Sequence, residues 1–266
     1  MVRIIHGADF HLDSPFAGLS PQRAVQRRQE QRELLERLAE LCREREAQVV
    51  LLAGDLLDSA STFYETDQAL AAALGRMDAR VFIAPGNHDF YQPRSPYAAL
   101  RWPDNVHIFT GGWERVPLPE LGCAVYGAAF TGPYQDGGLL EGFAPEGDEG
   151  LVRLMVLHGA VDAAQSRYDP ITTQQLADSG MDYIALGHVH GFSGIQRAGN
   201  TYWAYSGCPE GRGFDELGEK GVLCGAVDRG RAQLDFVPLC KRKYEIVTVD
   251  VSQGDTAADA VRAVLP

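Results

Sequence analysis

Five short segments of the sequence combine histidine with aspartate or asparagine, and they contain five of the seven histidines in the chain. Hard carboxylate oxygens, imidazole nitrogens and an amide oxygen together suit divalent ions such as Mn, Fe or Zn, whereas a structural zinc site is rich in thiolates. The segments therefore predict a metal centre. They are Asp9-Phe10-His11, Gly54-Asp55-Leu56-Leu57-Asp58, Gly86-Asn87-His88-Asp89, His158-Gly159 and Gly187-His188-Val189-His190.

The charge of such a centre favours phosphoester chemistry. Two divalent ions bring four positive charges, and the carboxylates of Asp9 and Asp55 bring two negative ones. With a bridging hydroxide the centre would keep a charge of about +1 and would attract an anionic phosphate. A pair of metal ions also activates water and stabilises both the attacking and the leaving oxygen of an in-line displacement. We therefore expect a hydrolase that needs no covalent protein nucleophile.

Buried strands are expected to position these segments, most of which follow directly on short apolar runs. Ligands at the carboxyl ends of parallel strands converge at one edge of a sheet. The runs alternate with a long amphipathic helix from Pro21 to Glu46 and a second helix that Ser61 or Thr62 would cap, which is typical of an α/β protein. The runs cover residues 2–8, 48–53, 80–84, 151–157 and 182–186.

The second half of the sequence predicts a different organisation. Residues 132–150 are rich in Gly, Pro and acids and predict an exposed loop. Residues 200–205, 221–227 and 231–238 predict a mainly antiparallel second sheet, so that two facing sheets flanked by helices form the fold. Lys243–Val251 alternates like a strand, and residues 256–265 predict a helix that stops at Pro266. We interpret 1–240 as one domain and 241–266 as the beginning of another.

Composition excludes several classes of protein. The 24 basic and 36 acidic residues give a net charge of −12, which argues against binding nucleic acid by bulk positive field. No apolar stretch approaches the roughly 20 residues that cross a membrane. The N-terminus is interpreted as a first strand and not as an export signal. Five scattered cysteines without a CxxC pair favour reduced thiols and a cytoplasmic location.

The order DxH, GDxxD, GNHD, H and GHxH, which runs from Asp9 to His190, resembles the calcineurin-like metallophosphoesterase superfamily. Residues 6–16, Tyr205-Ser206-Gly207 and residues 214–221 are similar to the narrower SbcD/YhaO type of DNA repair exonuclease, the bacterial branch of the meiotic-recombination-eleven nucleases. The resemblance implies a four-layer α/β/β/α sandwich followed by the start of a C-terminal capping domain, truncated in this chain.

The resemblance also implies a role for each residue of the centre. His88 would stay off the metals, contact the phosphate and protonate or stabilise the leaving oxygen, and Asp58 would orient His88 by a hydrogen bond. A loop or helix cap is the alternative for Asp58. Two divalent ions are implied, with Mn favoured over Fe, Zn or Mg. Asp9, His11, Asp55 and His190 would hold one ion, and Asp55, as the bridge, would hold the other with Asn87, His158 and His188.

The activity implied by the resemblance is that of a DNA exonuclease or endonuclease subunit in double-strand-break repair. Such a subunit works with an SbcC-like coiled-coil ABC-type ATPase and forms homodimers, without a membrane partner. Two alternatives stay open: a metallophosphoesterase for a small phosphodiester or nucleotide, and a weakly active scaffold for a partner ATPase.

Other residues fit ordinary structural roles better than functional ones. His6 and His107 lie outside the motifs and are interpreted as structural histidines. The arginines of the long helix alternate with glutamates, so a solvated face is favoured over a DNA contact. Several aromatic residues suit either base stacking or the core. The arginines are Arg23, Arg27, Arg28 and Arg32, and the aromatics are Phe10, Phe90, Tyr91, Phe192, Tyr202, Trp203 and Tyr205.

Overall fold

The computed structural model describes residues 1–59, 62–145, 147–252 and 256–264. Its helices are α1 (Pro21–Glu44), α2 (Tyr64–Gly75), α3 (Pro96–Ala99), α4 (Thr173–Asp178) and α5 (Ala257–Val264). Its strands are β1 (Val2–Gly7), β2 (Val49–Leu52), β3 (Arg80–Ile83), β4 (Val106–Ile108), β5 (Glu114–Leu118), β6 (Cys123–Gly127), β7 (Val152–His158), β8 (Ala160–Val161), β9 (Pro170–Ile171), β10 (Tyr183–Gly187), β11 (Gln196–Ala198), β12 (Thr201–Tyr205), β13 (Gly221–Asp228) and β14 (Arg231–Pro238).

Two six-stranded mixed sheets form the centre of the fold. The first has the order β14-β13-β1-β2-β3-β4, and the second has the order β11-β12-β10-β7-β6-β5. Their facing sides share one apolar core, which includes Ile4 and Leu51 of the first sheet and Leu154 and Val156 of the second. Helices α1 and α2 pack on the outer side of the first sheet, and α4 packs on that of the second. The prediction of two facing mixed sheets flanked by helices is confirmed.

Burial on both sides explains why the central strands are continuously apolar. The strand β2 reads Val-Val-Leu-Leu, and every one of its residues is buried. This composition is typical of parallel strands covered on both faces. The preceding helix α1 begins as predicted at Pro21, where Ser20 accepts a hydrogen bond from the backbone N–H of Arg23, and it ends at Glu44.

The predicted antiparallel second sheet is wrong in its strand assignment. Strand β12 joins the second sheet and pairs in parallel with β10, whereas β13 and β14 join the first sheet. Strand β13 pairs antiparallel with β1 along its free edge, from Val2 beside Val227 to His6 beside Leu223. The hairpin thus covers a central strand edge that would otherwise leave backbone groups unpaired.

The predicted capping of the second helix is also wrong at Thr62. Phe63 occupies the N-cap of α2 and makes no side-chain cap. The Thr62 hydroxyl instead donates to the Asp67 carboxylate at 2.6 Å, while Asp13 accepts from the backbone N–H of Phe63 at 2.8 Å. Ser61, the other predicted cap, lies outside the described residues.

The region 132–150 is irregular as predicted over its described residues, although it is not wholly exposed. Asp148 is buried and accepts hydrogen bonds from Arg115 and Tyr126. The Arg115–Asp148 contact joins this loop to β5, so that a charged residue in an acidic stretch anchors the loop to the second sheet.

The predicted strand at Lys243–Val251 is wrong. The segment has no strand in the described structure and makes one isolated bridge, between Tyr244 and Leu217. Ile246 and Val247 are exposed, so the apolar side of this alternating sequence is not buried against a sheet. The following helix is present as α5, while the predicted end at Leu265 and Pro266 lies outside the described residues.

The surface of α1 differs from the prediction at one arginine. The prediction of a solvated helix face is wrong for Arg27, which is buried and pairs with Glu30 and Glu210. None of the helices in the described ranges combines the length and apolarity of a membrane span. The division of the chain at residue 240 stays a prediction.

The buried residue His6 has the structural role that was predicted for it. Its two ring nitrogens lie 2.8 Å from the Tyr183 hydroxyl and 3.1 Å from the Leu186 carbonyl, so the ring joins the two sheets. Burial lowers its pKa to about 3. His6 therefore stays neutral in the folded protein at pH values at which the unfolded chain binds a proton.

We expect His6 to make the protein less stable as the pH falls below about 6.5. The unfolded chain takes up the proton that the folded ring refuses, which removes about 1 kcal/mol of the free energy of unfolding between pH 7 and pH 5.5. Urea unfolding at both pH values, of the parent and of His6→Gln, measures this change. The variant should be less stable at pH 7 but lose less on acidification; equal losses in both proteins would contradict the assignment.

Candidate metal centre

Five of the seven predicted metal ligands form two close groups where the two sheets end, and Asn87 and His188 lie next to His158. Asp9, Asp55 and Asn87 follow strands β1, β2 and β3 of the first sheet, and His158 and His188 lie at the ends of β7 and β10 in the second. Two groups, Asp9-His11-His190 and Asp9-Asp55-His158, have ligand atoms within 4.8 Å of one another. The parallel strands thus bring residues from distant parts of the chain to one place, as the sequence pattern predicts.

Two imidazoles face each other in the first half of the centre. The Nε2 atoms of His11 and His190 lie 3.2 Å apart. On the opposite side of each ring, Nδ1 contacts a carboxylate: His11 at 3.1 Å from Asp58, and His190 at 2.6 Å from Glu216. Because an ionised carboxylate can only accept, each neutral ring carries its proton on Nδ1 and presents an Nε2 lone pair to the other. A cation between these lone pairs satisfies both.

The second half repeats this pattern. His158 donates from Nδ1 to the Ala53 carbonyl at 2.9 Å, and its Nε2 lies 3.0 Å from the Asn87 side-chain oxygen. A nitrogen lone pair and an amide oxygen therefore point at each other. Oxygen Oδ2 of Asp55 lies 3.4 Å from His158 Nε2 and 3.8 Å from His11 Nε2. This carboxylate lies between the two halves, where one ligand can serve two ions.

Asp9 and His188 lie at the edge between the two sheets. The backbone N–H of His188 donates to both oxygens of Asp9, at 3.0 and 3.2 Å. Burial, together with repulsion by Asp55, raises the pKa of Asp9 well above its usual range. The His188 ring lies 5.3 Å from that of His158, between centroids. A cation at this position would relieve the repulsion between the carboxylates and fits these ligands.

The imidazoles are ready to bind a cation at neutral pH. Burial lowers the pKa of His11, His158 and His188 to about 4 in each case. Each of these rings is therefore neutral near pH 7, and a metal ion needs to displace no proton from it.

Strained backbone conformations coincide with the predicted ligands. Asp9, His11, Asp55 and His188 have φ values of 55°, 45°, 50° and 105°. Residues other than glycine rarely adopt positive φ, and such strain concentrates at functional sites. The fold thus holds these ligands in conformations that their own local preferences disfavour.

Asp89 positions the loops of the centre, a role that sequence reasoning did not assign although the residue belongs to a recognised motif. Its buried carboxylate accepts the backbone N–H of Gly86 at 2.8 Å and the Tyr97 hydroxyl at 2.6 Å. It also accepts backbone N–H groups of the loop that contains Asp55. These belong to Asp55, Leu56 and Leu57, at 3.2, 2.7 and 3.2 Å.

Asp58 is hydrogen-bonded to His88 through its backbone carbonyl and not, as predicted, through its carboxylate. Its carboxylate does not contact His88; it accepts from His11 at 3.1 Å, from the Ser14 hydroxyl at 2.9 Å and from Arg212 at 3.2 Å. The alternative of a loop or helix cap stays a prediction, because residues 60 and 61 lie outside the described chain. His88 instead donates from Nδ1 to the backbone carbonyl of Asp58 at 3.0 Å. The side chain of Asp58 therefore serves a predicted metal ligand, and its backbone serves His88.

His88 is the exposed histidine of the cluster. Its ring meets that of His11 edge-on, with centroids 4.8 Å apart. Its backbone N–H donates to Oδ1 of Asp55 at 2.9 Å, which couples its position to that of the central carboxylate. Because Nδ1 donates to the Asp58 carbonyl, Nε2 is the atom free to exchange a proton with a bound molecule.

Arg212 and Glu216 belong to the centre, and sequence reasoning gave them no role. Arg212 lies 2.9 Å from Glu216, which in turn holds His190. Burial alone would raise the pKa of Glu216, but hydrogen bonds from His190 and Arg212 lower it below its usual range. Lys220 donates to the His190 carbonyl at 3.1 Å. The available signal was the segment 214–221, which carries the narrower family resemblance but no metal motif.

The aromatic residues near the centre divide into core and surface. Phe10 and Tyr205 are buried, and the Tyr205 hydroxyl donates to the Gly159 carbonyl at 2.8 Å beside His158. Phe192 is exposed and stacks on Phe236 at 5.1 Å between centroids. The core interpretation is therefore right for Phe10 and Tyr205.

We expect Asp58→Asn to weaken metal binding. The amide lacks the charge that fixes the His11 tautomer, and loss of such a supporting hydrogen bond typically lowers metal affinity about 10- to 100-fold. Calorimetric titration of the metal-stripped protein with Mn²⁺ measures the affinity. Asp215→Asn, which removes a charge from an exposed residue of the neighbouring loop, is the matched control. Equal Mn²⁺ affinity in the two variants would show that Asp58 does not support the ligand.

Comparison with known proteins agrees with this geometry. The protein TT1561 of Thermus thermophilus has a solved structure that matches 90% of this chain and 100% of its own, with a TM-score of 0.53 and 13% identity, which is evidence for a shared fold. The Bacillus subtilis (strain 168) protein named "Uncharacterized metallophosphoesterase YhaO" is 30% identical over 265 residues. The match covers 94% of this chain and 63% of that relative, so the chain spans less than two thirds of its length.

A family model matches residues 2–192, a range that contains all seven predicted ligands together with Asp58 and His88. Metallophosphoesterases of this kind are hydrolases of phosphoesters that use two divalent metal ions, and the ligands found where the sheets end suit such a pair. The chain belongs to the calcineurin-like phosphoesterases.

Proposed function

We propose that this protein is a dinuclear-metal phosphodiesterase that cleaves DNA, with manganese as its activating ion. The observation that carries the proposal is the pair of ligand arrays that share Asp55. In each array an imidazole lone pair faces a second ligand atom, at 3.2 Å between His11 and His190 and at 3.0 Å between His158 and Asn87. Mixed imidazole, carboxylate and amide ligands suit Mn²⁺, Fe²⁺ or Zn²⁺. The resemblance to the repair exonucleases favours Mn²⁺ among these ions.

The residues of the chain divide the chemistry of hydrolysis between them. Two divalent ions, when bound, supply the positive charge that attracts the phosphodiester and make water more acidic. His88 lies at the open side of the centre, and when its ring carries a proton on both nitrogens, Nε2 can give its proton to the departing oxygen and the ring keeps the one on Nδ1. Its bond to the Asp58 carbonyl fixes the orientation of the ring.

DNA is proposed as substrate because of the segments outside the metal motifs. Residues 6–16, 205–207 and 214–221 are similar to the SbcD/YhaO type of repair exonuclease, and two of them supply structural partners of the centre, Ser14 and Glu216. We extend the proposal to a role in double-strand-break repair, an SbcC-like ATPase partner and a homodimer. Five free cysteines support a reducing location such as the cytoplasm.

A small phosphodiester or nucleotide is the second candidate substrate. The exposed position of His88 and the net charge of −12 favour it, since an acidic surface repels a long polyanion more than a short one. A weakly active scaffold is less well supported, because a docking surface has no chemical need for the buried imidazoles and carboxylates that converge here.

We expect Mn²⁺-dependent release of nucleotides from end-labelled single-stranded or duplex DNA. His88→Ala should lower the turnover of DNA about 100-fold or more, because the departing alkoxide needs a proton. Turnover of bis-p-nitrophenyl phosphate should fall much less, since its phenolate leaves without one. Gel analysis of the DNA and absorbance of p-nitrophenol measure the two rates.

Metal content of the parent and of His88→Ala, determined by elemental analysis, controls for loss of the ions. Hydrolysis of the small ester without any release of nucleotides from DNA would contradict DNA as the substrate and support a small phosphodiester or nucleotide instead. Equal losses on both esters at full metal content would remove His88 from the role of proton donor.

A further inference from the structure

A cavity of about 570 Å³ adjoins the metal centre and has no role in the chemistry described above. Asp58, Arg212 and Glu216 form its inner wall, and these residues hold His11 and His190. Its outer wall contains Phe16, Phe214 and Tyr244. The cavity therefore begins beside the side chains that support the metal centre.

An aromatic pair, the exposed Phe214 and the half-buried Tyr244, forms one side of the cavity. The side chain of Phe214 is 70% exposed, and its ring meets that of Tyr244 at 5.1 Å and 71°. Tyr244 is fixed from two directions, since its carbonyl accepts from the Gly218 N–H at 2.9 Å and its hydroxyl donates to the Arg212 carbonyl at 3.3 Å. A large apolar ring held in solvent beside a catalytic centre offers a stacking face to a planar ligand.

A second cavity of about 540 Å³ continues the first, and the two share Leu19 and Tyr244. Its ionised lining residues are basic: Arg23, Arg27, Arg242 and Lys243. This local surplus stands out in a chain with a net charge of −12.

The four basic residues of the second cavity differ in their ion pairs. Arg27 and Arg242 pair with Glu30, at 2.7 and 2.6 Å, and so keep part of their charge engaged inside the fold. Lys243 pairs with the exposed Glu245 at 2.8 Å. Arg23 has no ion-pair partner in the part of the chain that the structure describes. Arg23 is thus free of a carboxylate partner within the described chain, and the ion pair of Lys243 is exposed and screened by solvent. These two cations are the ones most available to an anion in the cavity.

We propose that the two cavities form one groove for a single nucleic-acid strand, in which a nucleobase next to the cleaved bond stacks on Phe214 and the following phosphates contact Arg23 and Lys243. This inference rests on the proposed function, because it takes the cleaved phosphodiester to lie at the metal centre. Aromatic faces and cations in sequence along a groove are the features that bind single strands without reading their sequence. A stacked base has left the duplex, so the groove selects single-stranded or frayed ends.

The groove is tested by the binding of a fluorescein-labelled thymidine 12-mer, followed by fluorescence anisotropy with Mn²⁺ present. All proteins carry His88→Ala, so that the strand is not degraded. Phe214→Ala should weaken binding about tenfold, and Phe214→Trp should restore it, because stacking needs the ring and not the phenyl group itself. Arg23→Ala with Lys243→Ala should lower the slope of log affinity against log salt by about 1.4.

The matched control is Arg229→Ala with Arg231→Ala, which removes two arginines at the hairpin between β13 and β14. This hairpin lies at the far end of the first sheet, where Val227 pairs with Val2, and should leave affinity and salt slope unchanged. Parent-like binding by Phe214→Ala, or by the Arg23 and Lys243 variant, overturns the groove.

The groove and the proposed function fail in different ways. If the parent hydrolyses DNA while the groove variants bind the 12-mer normally, the groove is contradicted and the nuclease activity is supported. Weakened binding by both groove variants, in a protein whose parent form hydrolyses only the small ester, would support the groove and remove the DNA-cleaving activity.

Discussion

The buried carboxylate of Asp89 is the interaction on which the geometry of the centre depends. It gathers backbone N–H groups from the loop after β2 and from the loop after β3, together with the Tyr97 hydroxyl. Burial raises its pKa, and the neighbouring Asp55 raises it further, while these donors act in the opposite direction. The fold thus buries a carboxyl group whose hydrogen bonds fix where Asp55 can lie.

Close packing of the backbone reinforces the same constraint. A Cβ atom at Gly86 would lie 2.4 Å from the Asp55 carboxylate, and one at Gly54 would lie 2.6 Å from His158 Nδ1. Gly54 also adopts a φ of 84°, which L side chains disfavour. The loops can therefore approach the ligands only where side chains are absent, and the glycines of both motifs follow from packing rather than from flexibility.

Sequence reasoning was reliable where one short segment determines the outcome. Apolar runs such as Val49–Leu52 give buried strands wherever they are paired, and the residues after them reach the common edge of the fold.

Sequence reasoning failed where the outcome depends on a distant partner. The hairpin β13–β14 pairs with the edge of β1, and Lys243–Val251 forms no strand although β14 leaves an edge of the first sheet unpaired in the described chain. The same distinction applies to the centre, where the types and spacing of the ligands predict which residues converge. The contact of Asp58 with Arg212, in contrast, joins residues 154 positions apart. Neither the order of the motifs nor the amphipathic pattern predicts which distant side chain a carboxylate will contact.

Position 58 combines two duties that evolution can change separately. The backbone carbonyl that holds His88 is present whatever side chain follows it, while the carboxylate that holds His11 depends on the residue type. A different side chain at this position would change the support of His11 and leave the carbonyl that holds His88 in place. At position 58 the surroundings of a predicted metal ligand can therefore change while the orientation of His88 is kept.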